Sequence, residues 1–202
     1  MRYKSCNCIF CNCSHSEDNP ITKDHIPSKV IYKDERIDEQ RITVPCCYKC
    51  NQAFSIEENF IEEIFKELNK DYISGITLSG GDPLNEANLD GVLGLVNQIR
   101  LLFPQKTIWL YTGYRVHGIQ EGLFVLTPNV ITDKISDHKE IIDRVNDDVK
   151  RSDIIKQCDV LIDGRYVEEK RDITLKWRGS SNQRVINVQK SLQKNEIVLH
   201  CD

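Results

Sequence analysis

The architecture of the chain follows from residues 72–84, which read Tyr-Ile-Ser-Gly-Ile-Thr-Leu-Ser-Gly-Gly-Asp-Pro-Leu. Residues 73–78 form a short, mainly apolar run that contains β-branched side chains, and such a run predicts a strand. A Gly-Gly turn ends that strand, and apolar residues then recur at helical spacing from about Asn88 to Phe103, where Pro104 stops the helix. The stretch therefore predicts a strand, a glycine-rich turn and a helix in succession.

The same alternation continues through the rest of the chain. Apolar runs typical of strands lie at residues 107–111, 123–126, 160–162, 173–177 and 197–199, and helical patterns lie at residues 135–156 and 183–193. Strands that alternate with helices predict a parallel or mostly parallel sheet covered by helices. We therefore expect an α/β domain over residues 57–202.

Composition excludes several classes of protein. The chain has 202 residues, of which 40% are hydrophobic and 29% charged, as is typical of a folded globular protein. Because 27 Lys and Arg stand against 31 Asp and Glu, the net charge is -4 and no global positive field attracts nucleic acid. The start has no apolar leader, and no apolar run reaches the roughly 20 residues of a membrane span. We expect a cytoplasmic protein with no membrane segment.

Cysteine is concentrated near the N-terminus, where seven of the nine cysteines lie. Two Cys-x-x-Cys turns, Cys8 to Cys11 and Cys47 to Cys50, can each aim both sulfurs at one ion, and together they predict a tetrahedral zinc site. Metal binding would explain how residues 1–56, which have little apolar periodicity, fold as a separate module. The alternative is that these are free buried thiols. Three further cysteines could replace a member of the set: Cys6, Cys13 and Cys46.

Between the two turns stand Asp24 and His25, and Val44-Pro45 directly precedes the second turn. In this order the residues resemble the HNH endonuclease family over residues 8 to about 60, which implies an HNH-like ββα zinc-knuckle module. The resemblance implies that His25 activates water against a phosphodiester and that Asp24 helps to hold a divalent cation. No histidine follows the second turn until His117, so the second metal ligand is left to Asn51, Glu57 or Glu58. It also implies a nucleic acid partner for this module.

Five motifs follow in the second part of the chain. They are residues 72–84, Ile108-Trp-Leu-Tyr-Thr-Gly-Tyr114, Asp159-Val-Leu-Ile-Asp-Gly-Arg-Tyr166, Trp177-Arg-Gly-Ser-Ser-Asn-Gln-Arg184 and Val188-Gln-Lys-Ser-Leu192. Together they resemble the activating proteins of anaerobic ribonucleoside-triphosphate reductase, which are small radical S-adenosylmethionine enzymes. The resemblance covers residues 57–202 and implies a partial radical-SAM-type β/α sheet, with residues 116–158 as an insertion.

That resemblance implies a chemistry and a partner. Three cysteines would hold an iron-sulfur cluster that reduces S-adenosylmethionine, and the radical formed would take hydrogen from a glycine of the large subunit of the reductase. One set of residues would cradle the methionine amino group: Gly80, Gly81, Asp82 and Pro83. A second set would border the cofactor pocket: Tyr111, Thr112, Gly113, Gly179, Ser180 and Asn182. For Tyr111, core packing is an equal alternative.

The cysteines bring the two resemblances into conflict. The cluster of the activating proteins needs cysteines at positions i, i+4 and i+7, and no three of the nine cysteines have that spacing. Cys47 and Cys50 fit the last two positions, but Thr43 occupies the first. One pair of thiolates cannot serve a zinc site and a cluster at once.

Three hypotheses follow. The first is an oxidoreductase that generates the glycyl radical of the reductase and whose N-terminal part is replaced by an HNH-like zinc module. The second is an HNH-type metal-dependent endonuclease, or a zinc DNA-binding module, joined to a degenerate activase remnant. The third is a non-catalytic partner that still docks on the reductase.

Overall fold

The chain divides into two compact units, Met1–Glu67 and Leu68–Asp202. The computed structural model describes residues 6–26, 42–127 and 138–201. The division falls inside the first helix, beyond the change in sequence character near Ile56. The functional identities expected of the two domains stay predictions.

The first unit contains a two-stranded sheet followed by a helix. Strand β1 (Ile21–Ile26) pairs antiparallel with β2 (Ile42–Cys47), and helix α1 (Tyr48–Leu68) follows without a break. The register places Ile21 opposite Cys47. The order strand, strand, helix is the one expected of a ββα module, and its identification with the HNH-like fold stays a prediction.

A five-stranded mixed sheet, in the order β3-β4-β7-β8-β9, forms the centre of the second unit. Strands β3 (Gly75–Leu78), β4 (Thr107–Tyr111) and β7 (Val160–Asp163) run parallel. Strand β8 (Arg184–Asn187) is antiparallel to β7, and β9 (Leu199–Cys201) is antiparallel to β8. The prediction of a mostly parallel sheet is right for the first three strands and wrong for β8 and β9.

Helices and a separate hairpin complete the second unit. The helices are α2 (Leu89–Leu102), α3 (His138–Lys156) and α4 (Val188–Lys194), and the hairpin joins β5 (Arg115–Gln120) to β6 (Leu123–Thr127). Helix α3 packs against α2, α4 and β6. Burial of each large apolar side chain contributes about 1.5–3 kcal/mol. The fully buried residues include Leu89, Ile99, Ile108, Leu110, Ile154, Ile155, Leu161, Ile162 and Ile186. None of the helices in the described ranges is long and apolar enough to cross a membrane.

The predicted strand at residues 173–177 is wrong, because this segment forms turns. The Asp172 carboxylate accepts hydrogen bonds from the Thr174 N–H at 2.9 Å and from its hydroxyl at 2.6 Å, which closes a tight local turn. Ile173 is 86% exposed, so its apolar side chain has no sheet face to cover.

The predicted helix at residues 183–193 is half wrong, because its first part is strand β8. Val185 and Ile186 are fully buried in the sheet. Asn187 then caps α4, since its side chain accepts a hydrogen bond from the Lys190 N–H at 2.9 Å. Strand β5 was not predicted from the sequence. The Glu121-Gly122 turn joins it to β6 with φ angles of 49° and 76°.

Cys158 makes the stability of the second unit depend on pH. Its sulfur is buried and donates to the Ile154 carbonyl oxygen at 3.3 Å, and burial raises its pKa from 9.0 to about 12. Because the unfolded thiol ionises first, the free energy of unfolding should fall between about pH 9 and 12, by about 1.4 kcal/mol per pH unit. Urea unfolding at about pH 8 and about pH 10.5 checks this, and Cys158→Ala should remove about 2 kcal/mol of the fall between these two pH values. Equal slopes for the two proteins would contradict the assignment.

Candidate functional site

Four cysteine side chains of the first unit converge. Cys8 and Cys11 lie in the loop before β1, Cys47 ends β2, and Cys50 lies in the first turn of α1. Their sulfur atoms all lie within 4.8 Å of one another, and those of Cys11 and Cys47 are 3.7 Å apart. The structure thus brings together the four residues that the sequence predicts as metal ligands.

Backbone hydrogen bonds shape the first turn and attach it to β2. The N–H of Asn12, which is left-handed at a φ of 59°, donates to the Cys8 carbonyl oxygen at 2.9 Å. The N–H of Ile9 donates to the Pro45 carbonyl oxygen at 3.0 Å. Cys8 and Cys47 are buried, Cys50 is half-buried and Cys11 is exposed. The site is therefore closed on the side of the sheet and reached from solvent at Cys11.

Hydrogen bonds from the backbone favour thiolates at two of the four positions. The Cys50 N–H donates to the Cys47 sulfur at 3.5 Å, and chiefly through this bond the pKa of Cys47 falls to about 6. Burial alone would raise the pKa of Cys8, but N–H groups of Cys47, Cys11 and Phe10 outweigh it and lower that pKa. The pKa of Cys50 is raised, because its thiol hydrogen-bonds to Cys47. A metal that binds all four sulfurs would displace the remaining protons.

Asn19 supports the site from outside the four cysteines. Its side-chain N–H donates to the Cys13 sulfur at 3.4 Å, and its side-chain oxygen accepts from the Lys49 N–H at 3.0 Å. A hydrogen bond from Asn19 also contributes to the lowered pKa of Cys47. The sequence pattern does not indicate Asn19, because a single polar residue carries no spacing signal. Its hydrogen bond to the N–H of Lys49, in the first turn of α1, exists only in the folded chain.

The residues expected to act in an HNH-type site are only partly described. Asp24 pairs with Val44 and His25 with Thr43 in the β1–β2 register, and the side chains of both lie outside the described residues. The Asn51 side chain donates to the Thr22 hydroxyl at 3.3 Å, which ties α1 to β1. Their catalytic roles stay predictions.

In the second unit, the loops that follow β3, β4 and β7 lie at the same end of the sheet, because these strands are parallel. We call this carboxyl end of the three strands the loop edge. Gly80, Gly81 and Asp82 have φ angles of 82°, 62° and 44°. A Cβ atom at Gly80 would meet no atom within 4 Å, so this turn borders open space. In α/β sheets, ligands bind beyond the carboxyl ends of the strands, where this turn lies.

Asp82 joins the first two loops. Its carboxylate accepts from the Thr112 hydroxyl at 2.8 Å, from the Gly113 N–H at 2.8 Å and from the Leu84 N–H at 3.0 Å. Thr112 and Pro83 are buried. The structure therefore shows the carboxylate holding the turn against the end of β4. Its predicted part in cradling the methionine amino group stays a prediction.

The segment 179–182 is organised by Gln183, which sequence analysis missed. The Gln183 side-chain oxygen accepts from the N–H groups of Gly179 and Ser180 at 3.1 and 3.2 Å. Its side-chain N–H donates to the Gly164 carbonyl oxygen at 3.0 Å. Asn182 donates through its side chain to the Arg165 carbonyl oxygen at 2.7 Å. These hydrogen bonds hold the loop against the residues that come directly after β7.

Two polar atoms of this segment have no partner. The side-chain oxygen of Asn182 and the Nε of Arg178 are buried and make no hydrogen bond. Nearby, the Tyr111 hydroxyl donates to the carbonyl oxygen of Trp177 at 2.7 Å, and Trp177 is left-handed at a φ of 64°. A tryptophan rarely adopts that conformation, so the neighbouring contacts hold the backbone there. Burial raises the pKa of Tyr111, which keeps its hydroxyl protonated as a donor.

Sequence identity relates this chain to known proteins over about two thirds of its length. The chain is 32% identical over 152 residues to the anaerobic ribonucleoside-triphosphate reductase-activating protein of Enterobacteria phage T4, and the match covers 69% of this chain and 77% of the relative. The chain belongs to the family of these activating proteins. The protein of the same name from Escherichia coli (strain K12) is 32% identical over 146 residues, again with 69% and 77% covered. A family model described as a 4Fe-4S single cluster domain matches residues 43–186. No solved structure matches the chain.

These relatives favour the activating-protein hypothesis over the HNH alternative. A third activating protein, from Vibrio cholerae, is 35% identical over 109 residues, which cover 54% of this chain and 52% of the relative. The cofactor site at the loops that follow β3, β4 and β7 stays a prediction, as does the metal at the four cysteines.

The thiols of the matched stretch do not fit a three-cysteine cluster loop. The stretch contains Cys46, Cys47, Cys50 and Cys158. Cys158 is buried in the second unit, and Cys46 is buried with its sulfur donating to the Cys47 carbonyl oxygen at 3.5 Å. Cys47 and Cys50 converge with Cys8 and Cys11 instead. The arrangement is a cluster of four cysteine sulfurs built from two turns.

Proposed function

We propose that this chain activates anaerobic ribonucleoside-triphosphate reductase, the function for which its relatives are named. In this proposal it binds the large subunit of the reductase and presents S-adenosylmethionine from the loop edge of the second unit. The single observation that carries the proposal is the 32% identity to the phage T4 protein over 77% of that relative. The parallel strands β3, β4 and β7 would be the part of a radical-SAM-type sheet that this chain retains.

The loop edge suits a polar ligand that has both donors and acceptors. Arg178 and Asn182 leave a buried donor and a buried acceptor without partners. An unpaired buried polar atom costs about 1–3 kcal/mol, and a ligand that pairs with it recovers that cost. S-adenosylmethionine carries an ammonium group, a carboxylate and ribose hydroxyls, which are the kinds of group that pair with such donors and acceptors. When bound, it would supply, on reductive cleavage, the radical that takes hydrogen from a glycine of the reductase.

The residues of this chain would bind and orient that ligand. Gly80 and Gly81 leave the backbone open to close approach, because neither carries a side chain. Asp82 holds their turn against Thr112 and Gly113, and Gln183 holds the Gly179 loop. Both side chains position loops, and neither needs to touch the ligand to affect its binding.

Replacement of Asp82 by alanine should weaken binding of S-adenosylmethionine by at least about tenfold, because it removes three hydrogen bonds to a carboxylate, each typically worth about 1.5–3 kcal/mol. Isothermal titration calorimetry on the full chain measures this. Asp90→Ala is the matched control, since that carboxylate is 85% exposed and pairs with Lys150. Equal affinities of wild type and Asp82→Ala would contradict the role given to the turn.

Activation itself is tested with the purified reductase. The full chain is mixed anaerobically with the large subunit, S-adenosylmethionine and a low-potential flavin reductant, and the glycyl radical is measured by electron paramagnetic resonance. We expect a stable complex and a radical signal that needs both the chain and S-adenosylmethionine. A chain that binds the reductase and S-adenosylmethionine but gives no radical signal would refute activation, and it would favour the non-catalytic partner instead.

A further inference from the structure

We propose that the thiolates of Cys8, Cys11, Cys47 and Cys50 bind one tetrahedral metal ion, of the zinc type, and do not bind a 4Fe-4S cluster. The family model implies such a cluster, and the donor set of this chain disagrees with it. This single-ion site does not depend on the proposed action on the reductase, since it follows from the positions of the four sulfurs.

The distances between the sulfurs match one shared ion. Zinc binds thiolates at about 2.3 Å, which puts the corners of a tetrahedron about 3.8 Å apart. The sulfurs of Cys11 and Cys47 are 3.7 Å apart, and all four sulfurs lie within 4.8 Å of one another. In a 4Fe-4S cluster each thiolate binds a different iron, so the four must stand apart around the whole cube.

The surrounding chain resists such an expansion. Cys8 and Cys47 are each 1% exposed and pack with Ile21 in one buried cluster. The hydrogen bond from Ile9 to Pro45 fixes the first turn to β2, close to Cys47. To admit four irons and four sulfides, the two turns would have to separate and break this packing.

The ligand set also leaves no free position on the metal. Four protein thiolates complete a tetrahedral shell, which is typical of structural sites, whereas a cluster that binds S-adenosylmethionine keeps one iron free of protein thiolates. Backbone N–H groups stabilise the negative charge of the shell, as the bond from Cys50 to the Cys47 sulfur shows. The second unit contains only Cys158 and Cys201, too few for a three-cysteine cluster. Zinc has no redox chemistry, so an electron for S-adenosylmethionine would have to come from outside this site.

Metal analysis of the full chain separates the two kinds of site. The protein is stripped of metal anaerobically and then offered zinc, ferrous iron and sulfide together. We expect one metal ion per chain, no acid-labile sulfide, and an X-ray absorption spectrum with four sulfur neighbours at about 2.3 Å and no metal–metal scattering. Several irons with matching sulfide and iron–iron scattering would overturn the single-ion site. The reductase plays no part in this measurement, so its result is separate from that of the activation test.

Variants assign the ion to these sulfurs. Cys8→Ser should lose the metal, and Cys6→Ser, which changes a neighbouring thiol outside the four, should keep it. Because Cys8 is buried and its loss could unfold the unit, Cys11→His provides the second variant at the exposed corner. It should retain one ion with three sulfur neighbours and one nitrogen neighbour. An unchanged four-sulfur shell in Cys11→His would refute the assignment.

Discussion

Chelation of the metal from the four-cysteine site is expected to unfold the first unit while the second unit stays folded. A structural zinc ion contributes about 10–16 kcal/mol of apparent binding free energy at neutral pH, and in small modules this energy is folding free energy. Hydrogen exchange of the full chain, followed by mass spectrometry before and after chelation, measures the effect. Among the described residues of the first unit, the buried apolar side chains are few: Cys8, Ile21, Cys46, Cys47 and Phe65. Two of these five are themselves proposed ligands of the ion, so its removal should affect this cluster directly.

The second unit provides the internal control for that experiment. Amides of β4 and β7 belong to a sheet with its own buried core, so their protection should not change on chelation. Protection of β1 and β2 should return when zinc is added back. If β1 and β2 stay protected in protein shown to be free of metal, the ion does not hold the first unit together.

Replacement of Asp163 by alanine is expected to lower the free energy of unfolding of the second unit by about 3–5 kcal/mol, because the change leaves a charged partner without its counterion. The Asp163 carboxylate is fully buried and accepts from the Arg184 Nε at 3.0 Å and from the Val116 N–H at 2.9 Å. A second guanidinium nitrogen of Arg184 also contacts it. Denaturant unfolding of the full chain, followed by a probe in the second unit, measures the loss.

Two further variants show whether burial of the pair causes the effect. Asp153→Ala removes an exposed carboxylate that pairs with Lys156 at 3.0 Å, and exposed pairs contribute only about 0–1 kcal/mol. A double variant, Asp163→Leu with Arg184→Met, removes both charges of this pair and should recover part of the loss. The recovery is incomplete because the Arg115 guanidinium, 3.9 Å from the carboxylate, and the Val116 N–H still lose their partner. A cost for Asp163→Ala no larger than that for Asp153→Ala would rule out a special role for the buried carboxylate.

Local sequence predicted the strands that are apolar throughout and failed where side-chain hydrogen bonds compete. β4 has the predicted bounds, and β7 extends one residue beyond them. Both are central strands with continuous apolar runs: β7 buries all four of its residues, and β4 buries Ile108 and Leu110. The segment after Asp172 reads as a strand by its apolar residues, yet the carboxylate of Asp172 turns it out of the sheet. β8 was predicted as part of a helix, because its buried apolar pair, Val185 and Ile186, fits a strand as well as the helical pattern that continues into α4.

The two candidate sites differ in how much of them could be predicted. The spacing of two residues within each cysteine turn is a local property of the sequence. The four cysteines could therefore be predicted as metal ligands without knowledge of the fold. Asn19 and Gln183 were not readable, because each acts through partners that are distant in sequence: Lys49 for the first, Gly164 for the second. The position of Asp82 was predicted, but its contacts to Thr112 and Gly113 depend on the parallel pairing of β3 with β4.

The sequence by itself determined the two kinds of unit, the membership of the second in the activating-protein family and the two cysteine pairs, because these depend on local periodicity, motifs and spacing. Only the tertiary structure decided that Cys11 and Cys47, 36 residues apart, place their sulfurs 3.7 Å from each other. That convergence comes from the pairing of β1 with β2 and from the bond of Ile9 to Pro45, which are contacts between distant segments. Spacing along the chain does not predict such contacts, because they form only when the backbone hydrogen bonds of separate segments are satisfied together.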